Sequence, residues 1–246
     1  MKTRFELVCG FGVYYGNIFH GEMLNGDSVD IFDRQIITAV EKVLAKKADY
    51  VIFSGSFTKL LPLKNGEAPI SEAMGMKNRA LQLFPNHRDE IMSKTMLDNE
   101  ALDSWKNLEC ALRLISANKH PLEWIEVISL AFKEIMFDVF ARDMPMEKLG
   151  FTTPTKLEKN VNYFYHPVGE ISRNANPVQT TINMKNFKEK YETQTFNPDD
   201  QDALKKRVKR DVYNIFYTQE QKIAMGVDKM PSAQPLHLEI PPLFIR

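Results

Sequence analysis

Short apolar runs alternate with longer amphipathic segments through the first 140 residues of the chain. Four of these runs have strand-like composition, and they lie at residues 5–9, 49–53, 91–96 and 124–128. Between them, apolar residues recur at helical spacing, as Ile36, Val40 and Val43 do. Strands that alternate with helices indicate a parallel sheet, because parallel strands need crossover connections. We therefore predict a three-layer α/β domain over residues 1–150, with helices on both faces of a parallel sheet.

Small or polar residues follow each of the predicted strands. In chain order they are Gly10 and Gly12, then Ser54, Gly55 and Ser56, then Asp98, and finally Ser129. Parallel sheets bind their ligands outside the carboxyl ends of the strands. The pattern therefore predicts a polar pocket at this edge of the sheet. Its glycine turns and hydroxyl groups are suited to binding an anion through backbone N–H groups and side chains.

Three further polar side chains lie on predicted helices near these strand ends. Glu72 follows Ser71, which can cap a helix, and either the helix dipole or a pocket explains a carboxylate there. Asn107 shares a helix face with Ser104, and that face is either solvent-exposed or part of the pocket. Arg34, in the first helix, would pair with a phosphate or carboxylate if it points inward.

The glycines after the first strand do not form a dinucleotide fingerprint. Gly16 follows Gly12 by four positions, whereas the fingerprint requires three. The second strand also ends in Ser54 rather than in an acidic residue. These departures disfavour a conventional NAD site.

We predict that residues 151–246 form an extension packed on the α/β domain. This extension would serve as a lid or as an oligomer contact. They contain two short strand candidates at 161–165 and 179–184, a helix at 199–217 and a proline-containing tail at 228–246. The helix includes the basic run 205–210. A solvated face explains such a run, and a patch that contacts an acidic partner is the alternative.

Charge and composition limit the function further. The 32 Lys and Arg residues balance the 32 Asp and Glu residues, so the whole chain does not attract nucleic acid or an anionic membrane. No apolar run approaches the length of a membrane span, and no signal peptide is evident, so we expect a cytoplasmic protein. Neither the two cysteines, Cys9 and Cys110, nor the five histidines show metal-ligand spacing, so no metal site is expected.

Six short motifs, in order, resemble the YdcF/SanA/ElyC-like family, a domain of unknown function, over residues 5–140. The motifs are Gly10 with Gly12, Arg34, Ser54-Gly55-Ser56, Ser71-Glu72-Ala73, Asp98-x-x-Ala101-x-x-Ser104-x-x-Asn107 and Val127-Ile128-Ser129. The resemblance implies a Rossmann-like domain with a polar pocket at the strand ends. Some relatives are linked to S-adenosylmethionine binding and others to integrity of the bacterial envelope.

The chain departs from the family pattern at three places. Ser56 stands where the family has a second glycine, and Ala101 removes a hydroxyl. The histidine that usually follows the fourth strand is missing, and Lys133 is an uncertain replacement. If that histidine is an acid–base group in the relatives, this chain lacks it.

Three hypotheses follow. The leading one is a protein that binds a small nucleotide-like or anionic ligand, S-adenosylmethionine among the candidates. The second is a hydrolase or transferase that acts on a phosphorylated or nucleotide substrate, with Glu72 or Asp98 as general base. The third is an interaction protein that uses the basic helix 199–217. The sequence leaves open whether any reaction is catalysed.

Overall fold

The computed structural model describes residues 2–10, 12–15, 18–21, 28–57, 70–168, 200–211, 214 and 216–227, without the side chains of 12–31 and of residue 132. The strands within these residues are β1 (Thr3–Cys9), β2 (Gly12–Tyr15), β3 (Ile18–Gly21), β4 (Tyr50–Ser54), β5 (Thr95–Asp98), β6 (Leu122–Leu130) and β7 (Tyr163–Val168). The α-helices are α1 (Ser28–Leu44), α2 (Glu72–Leu83), α3 (Arg88–Lys94), α4 (Ser104–Ala117), α5 (Glu134–Asp143), α6 (Gln201–Arg210) and α7 (Gln219–Ala224).

Five strands form one all-parallel sheet in the order β5-β4-β1-β6-β7. From the central β1, the chain first builds outward through β4 to β5, and it then builds on the other side through β6 to β7. The direction of building therefore reverses between β1 and β6. Open α/β sheets bind ligands at this kind of reversal, outside the carboxyl ends of the strands.

Helices cover both faces of the sheet, which confirms the predicted three-layer, Rossmann-like α/β fold. On one face, α1 and α2 contribute Phe32, Ile36 and Met76 to a hydrophobic cluster. On the other face, α4 and α5 contribute Trp105 and Phe137 to a second cluster. Each fully buried side chain of this size stabilises the fold by about 1.5–3 kcal/mol. Because both faces are covered, the strands appear in the sequence as nearly continuous apolar runs.

The predicted third strand was wrong in its position. Residues 91–94 belong to α3, and the strand β5 starts only at Thr95. A 3-10 turn at Pro85–His87 leads directly into α3, whose first turn carries Asp89 and Glu90, which suit a helix N-terminus. Only one apolar residue of the segment, Ile91, is buried in this helix, because Met92 is 55% exposed.

The sheet continues into the segment after residue 150. The strand candidate at 161–165 corresponds to β7, which pairs in parallel with β6. The predicted helix 199–217 is shorter, because α6 ends at Arg210 and a second helix, α7, follows. The strand candidate at 179–184 and the tail at 228–246 lie outside the described residues. None of the helices in the described part of the chain is long and apolar enough to span a membrane.

Candidate functional site

A row of polar side chains crosses the sheet at the carboxyl ends of four neighbouring strands. Asp98 ends β5, Ser54 ends β4, Cys9 ends β1, and Ser129 lies one residue before the end of β6. Cys9 is opposite Ser54 in the sheet register, and Ser54 is opposite Asp98. Leu7 and Ile52 lie two positions before Cys9 and Ser54, and both belong to the hydrophobic cluster with α4 and α5. Side chains two positions apart on a strand point to the same face, so the row faces these helices. Its four members are at most 5% exposed.

Ser54 contacts both Asp98 and Asn107 at the centre of this site. Ser54 Oγ lies 2.5 Å from Asp98 Oδ2 and 3.1 Å from Asn107 Oδ1 on α4. The second carboxylate oxygen of Asp98, Oδ1, accepts a hydrogen bond of 2.8 Å from the backbone N–H of Glu100. Burial raises the pKa of Asp98 to about 6, although the hydrogen bonds from Ser54 and Glu100 act in the opposite direction. Both protonation states are therefore accessible near neutral pH, which suits a proton-transfer group.

Two glycines make room for the side chain of Glu72. A Cβ atom at Gly10 would lie 2.1 Å from Glu72 Oε2 and 2.8 Å from Glu72 Cβ. At Gly55, whose φ is +154°, a Cβ atom would lie 2.7 Å from the same oxygen. Glu72 is the first residue of α2, which Ser71 caps by accepting the Met74 N–H at 3.0 Å. The turns after β1 and β4 thus hold a carboxylate that is 8% exposed at the sheet edge.

The backbone N–H groups of these turns form hydrogen bonds within the chain. Gly10 N donates to Ser54 O at 2.6 Å, and Gly55 N donates to Asp98 O at 3.0 Å. Ser56 N donates to Ala101 O at 2.9 Å. These three N–H groups, which the sequence suggested as donors to an anion, already have acceptors within the chain. Gly10 and Gly55 serve the site by leaving space for Glu72 instead.

Lys133 brings a cation to the site from the 3-10 turn that follows β6. Its Nζ donates to Ser104 Oγ, in the first turn of α4, at 3.4 Å. Burial lowers the pKa of Lys133 to about 8, and Arg210 acts in the same direction, whereas Cys9 and Glu72 oppose the shift. Its place after the fourth predicted strand was only a weak indication of this residue.

Cys9 is a structural member of the row rather than a reactive thiol. It is fully buried, and burial raises the pKa of its thiol to about 12. The thiolate is the reactive form of cysteine, so this thiol has little nucleophilic character at neutral pH. Sequence reasoning treated Cys9 as an ordinary core residue, and its position beside Ser54 appears only in the sheet register.

Two predicted site residues do not belong to the row. Arg34 is exposed on α1, which covers the face of the sheet opposite to α4 and Asn107. Gly12 lies in β2, which pairs with β3 in a separate two-stranded sheet. Ser56 is fully buried beside the row, and its hydroxyl has no hydrogen-bond partner among the described residues.

The helix α6 packs on the start of α4 through part of its basic run. Arg207 is 5% exposed, and its Nε donates to Asp103 Oδ2 at 2.9 Å. Val208 is fully buried, and Arg210 Nη1 donates to Leu102 O at 2.9 Å. Three lysines remain exposed on this helix, at positions 205, 206 and 209. The run therefore includes a docking face, which the sequence pattern alone did not separate from a solvated one.

The described residues include no group of three or more His, Cys, Asp and Glu side chains that could hold a metal ion. Family models, curated proteins and solved structures yielded no match to the chain.

Proposed function

We propose that the protein binds a small nucleotide-like or anionic ligand at the carboxyl ends of β1, β4, β5 and β6. The observation that carries this proposal is the polar row at the reversal of the sheet, together with Glu72 and Asn107 beside it. A carboxylate and an amide are suited to bind the hydroxyl groups of a ribose or a similar sugar. The resemblance to the YdcF-like family supports the proposal, since some relatives are linked to S-adenosylmethionine.

The cost of burying these groups favours a functional origin. A buried polar group destabilises a protein by about 1–3 kcal/mol unless hydrogen bonds compensate for its lost hydration. Apolar side chains at Ser54, Asp98 and Glu72 would extend the core at no such cost. A buried carboxyl group with a raised pKa, as Asp98 has, is typical of binding and catalytic sites.

A thermal-shift screen tests the proposal. The probes are S-adenosylmethionine, nucleotides and sugar phosphates, each added to the full chain. A ligand at about 100 times its dissociation constant stabilises the folded state by about 2.7 kcal/mol. For a chain of this length, that corresponds to a rise in Tm of about 5–10 °C.

Matched variants locate the effect. Glu72→Gln keeps the shape of the side chain and should abolish the shift for the ligand that binds. Glu90→Gln makes the same chemical change on the exposed surface of α3 and should leave the shift intact. If no compound shifts the wild-type Tm, or if Glu72→Gln responds as the wild type does, the proposal is rejected.

The contact between Ser54 and Asp98 favours a second candidate, a hydrolase or transferase that acts on a phosphorylated or nucleotide substrate. Asp98 would serve as general base, because its raised pKa and its 2.5 Å contact with a hydroxyl suit proton transfer. The base form must be ionised, so the turnover rate should rise with pH through about 6. Turnover of a phosphoester library that persists in both Asp98→Asn and Glu72→Gln would eliminate this mechanism.

A further inference from the structure

The hydroxyl of Ser54 has the neighbours that activate a serine as a nucleophile. Its Oγ lies 2.5 Å from Asp98 Oδ2, which is within range for direct proton transfer. The other oxygen of this carboxylate, Oδ1, accepts the Glu100 backbone N–H at 2.8 Å, so the carboxylate is held in its orientation. A hydroxyl in contact with a base, where a third group orients that base, is the general arrangement of activated serines.

The single proton of the Ser54 hydroxyl is directed toward Asp98. Asn107 Oδ1 lies 3.1 Å from Ser54 Oγ and competes for this proton, but a neutral amide oxygen is a weaker acceptor than an ionised carboxylate. Burial raises the pKa of Asp98 to about 6, and the charge of Glu100 acts in the same direction. Asp98 is therefore mostly ionised at neutral pH and is a stronger base than an ordinary aspartate.

The other serines near these strand ends lack such a base. Ser56 and Ser129 are as fully buried as Ser54, but neither hydroxyl forms a hydrogen bond with a carboxylate in the parts of the chain that the structure describes. Ser71 Oγ contacts the side-chain oxygen of Asn99 and caps α2. The contact with Asp98 therefore distinguishes Ser54 from its neighbours.

We propose that Ser54 Oγ is the nucleophile of the site, and that it attacks the phosphorus of a phosphoester to form a covalent phosphoserine. The inference rests on the second candidate function, a hydrolase or transferase, and names the group that attacks the substrate. In the first step, Asp98 takes the Ser54 proton, a bond forms between Oγ and phosphorus, and the bond from phosphorus to the leaving oxygen breaks. The leaving oxygen then takes the proton from Asp98.

A second step returns the protein to its starting state. Asp98 removes a proton from water, or from the hydroxyl of an acceptor, and the oxygen of that molecule attacks the phosphorus. The bond between phosphorus and Ser54 Oγ breaks, and Oγ takes the proton from Asp98. Water gives hydrolysis and an acceptor gives transfer, so the same two residues account for both reactions.

Labelling of the full chain with diisopropyl fluorophosphate, followed by mass spectrometry, tests the inference. This probe carries an electrophilic phosphorus and loses fluoride to an activated serine. Peptide mapping should place the adduct on Ser54, and Asp98→Asn should slow its formation by about 100-fold or more, the contribution of a general base. Ser129→Ala removes an equally buried hydroxyl of the same row and should be labelled like the wild type. The chain unfolded in urea should not be labelled, because the contact with Asp98 is then lost.

The inference is overturned if no adduct forms, if the adduct maps to another residue, or if Asp98→Asn is labelled as fast as the wild type. The mapping uses the wild-type chain, so it decides the question even if Ser54→Ala fails to fold.

Turnover of bis(p-nitrophenyl) phosphate separates this inference from the second candidate function. Turnover that persists in Ser54→Ala would keep the hydrolase, with water as the direct nucleophile, and would reject Ser54. An adduct on Ser54 together with turnover of p-nitrophenyl acetate, but not of the phosphodiester, would support the nucleophile and reject the phosphoester. If neither an adduct nor turnover is found, both are rejected.

Discussion

Gly10→Ala tests whether the turn after β1 exists to accommodate Glu72. The new Cβ atom would lie 2.1 Å from Glu72 Oε2, 2.8 Å from Glu72 Cβ and 3.0 Å from Ser54 O. The carboxylate is at the flexible end of its side chain and can move away, but the Cβ atom of Glu72 is fixed by α2. The substitution therefore forces the carboxylate out of its niche and also strains the contact between the turn and the helix.

The expected cost follows from these overlaps. Forcing an extra methyl group into packed surroundings usually destabilises a protein by about 1–3 kcal/mol. We expect about 2 kcal/mol here, because one overlap is relieved by a side-chain rotation and the other requires a backbone shift. For a chain of this length, the Tm should fall by about 4–8 °C. When Glu72→Ala is added to Gly10→Ala, the overlap with the carboxylate disappears and the overlap with the Cβ atom of residue 72 remains. The second substitution should therefore recover about half of the stability that Gly10→Ala loses.

The wild type, the two single variants and the double variant form a double-mutant cycle. Urea unfolding, followed by the fluorescence of the buried Trp105, measures the free energy of unfolding of each protein. The coupling energy between positions 10 and 72 should be favourable and about 1 kcal/mol. A coupling energy near zero would refute the reasoning, because Glu72 would then lie elsewhere. A Gly10→Ala protein as stable as the wild type would refute it as well.

Three other predictions concern the surroundings of the site. Asp98 ionises near 3.8 when unfolded and near 6 when folded, so stability should fall by about 3 kcal/mol as pH rises through this window. In Asp98→Asn, the urea concentration at the unfolding midpoint should no longer decline across this pH range. A decline that persists in this variant would show that another group causes it. Arg207→Ala leaves Asp103 without its ion pair and should cost about 3 kcal/mol, with faster tryptic cleavage at Lys205 and Lys206. Unchanged cleavage would show that this pair does not hold α6. Cys9 and Cys110 are buried, and burial raises the pKa of both thiols, so a thiol reagent should label neither before unfolding. Rapid labelling of the native protein would contradict their burial.

The sheet could be predicted from the sequence because strands covered on both faces appear as continuous apolar runs. The polar residue at each strand end was visible for the same reason, since it interrupts the run. Ser54 and Asp98 were singled out in this way, whereas Asn107 was singled out by the helix face that it shares with Ser104; Ser54 contacts both. The parallel arrangement alone suffices to bring Ser54 and Asp98 together, because all carboxyl ends of the strands lie at one edge.

The position of β5 and the cations of the site could not be predicted in this way. The strand has only four residues, and the apolar pair Ile91 and Met92 before it belongs to a short helix. Arg207 and Arg210 contact residues more than 100 positions away, and such contacts leave no periodic signal in the sequence. The sequence also could not show that Gly10 leaves space for Glu72, because close approach of a side chain and exposure of an N–H group both favour glycine.

The contact of α6 with α4 also forms late during synthesis, after the sheet has emerged. The central strand β1 leaves the ribosome first, and its neighbours β4 and β6 are present once residue 130 has emerged. Arg207 must then close a loop of 104 residues to reach Asp103. A nascent chain can therefore assemble most of its sheet while the start of α4 is still uncovered. The helix α6 therefore reaches the start of α4 only after all five strands of the sheet have emerged.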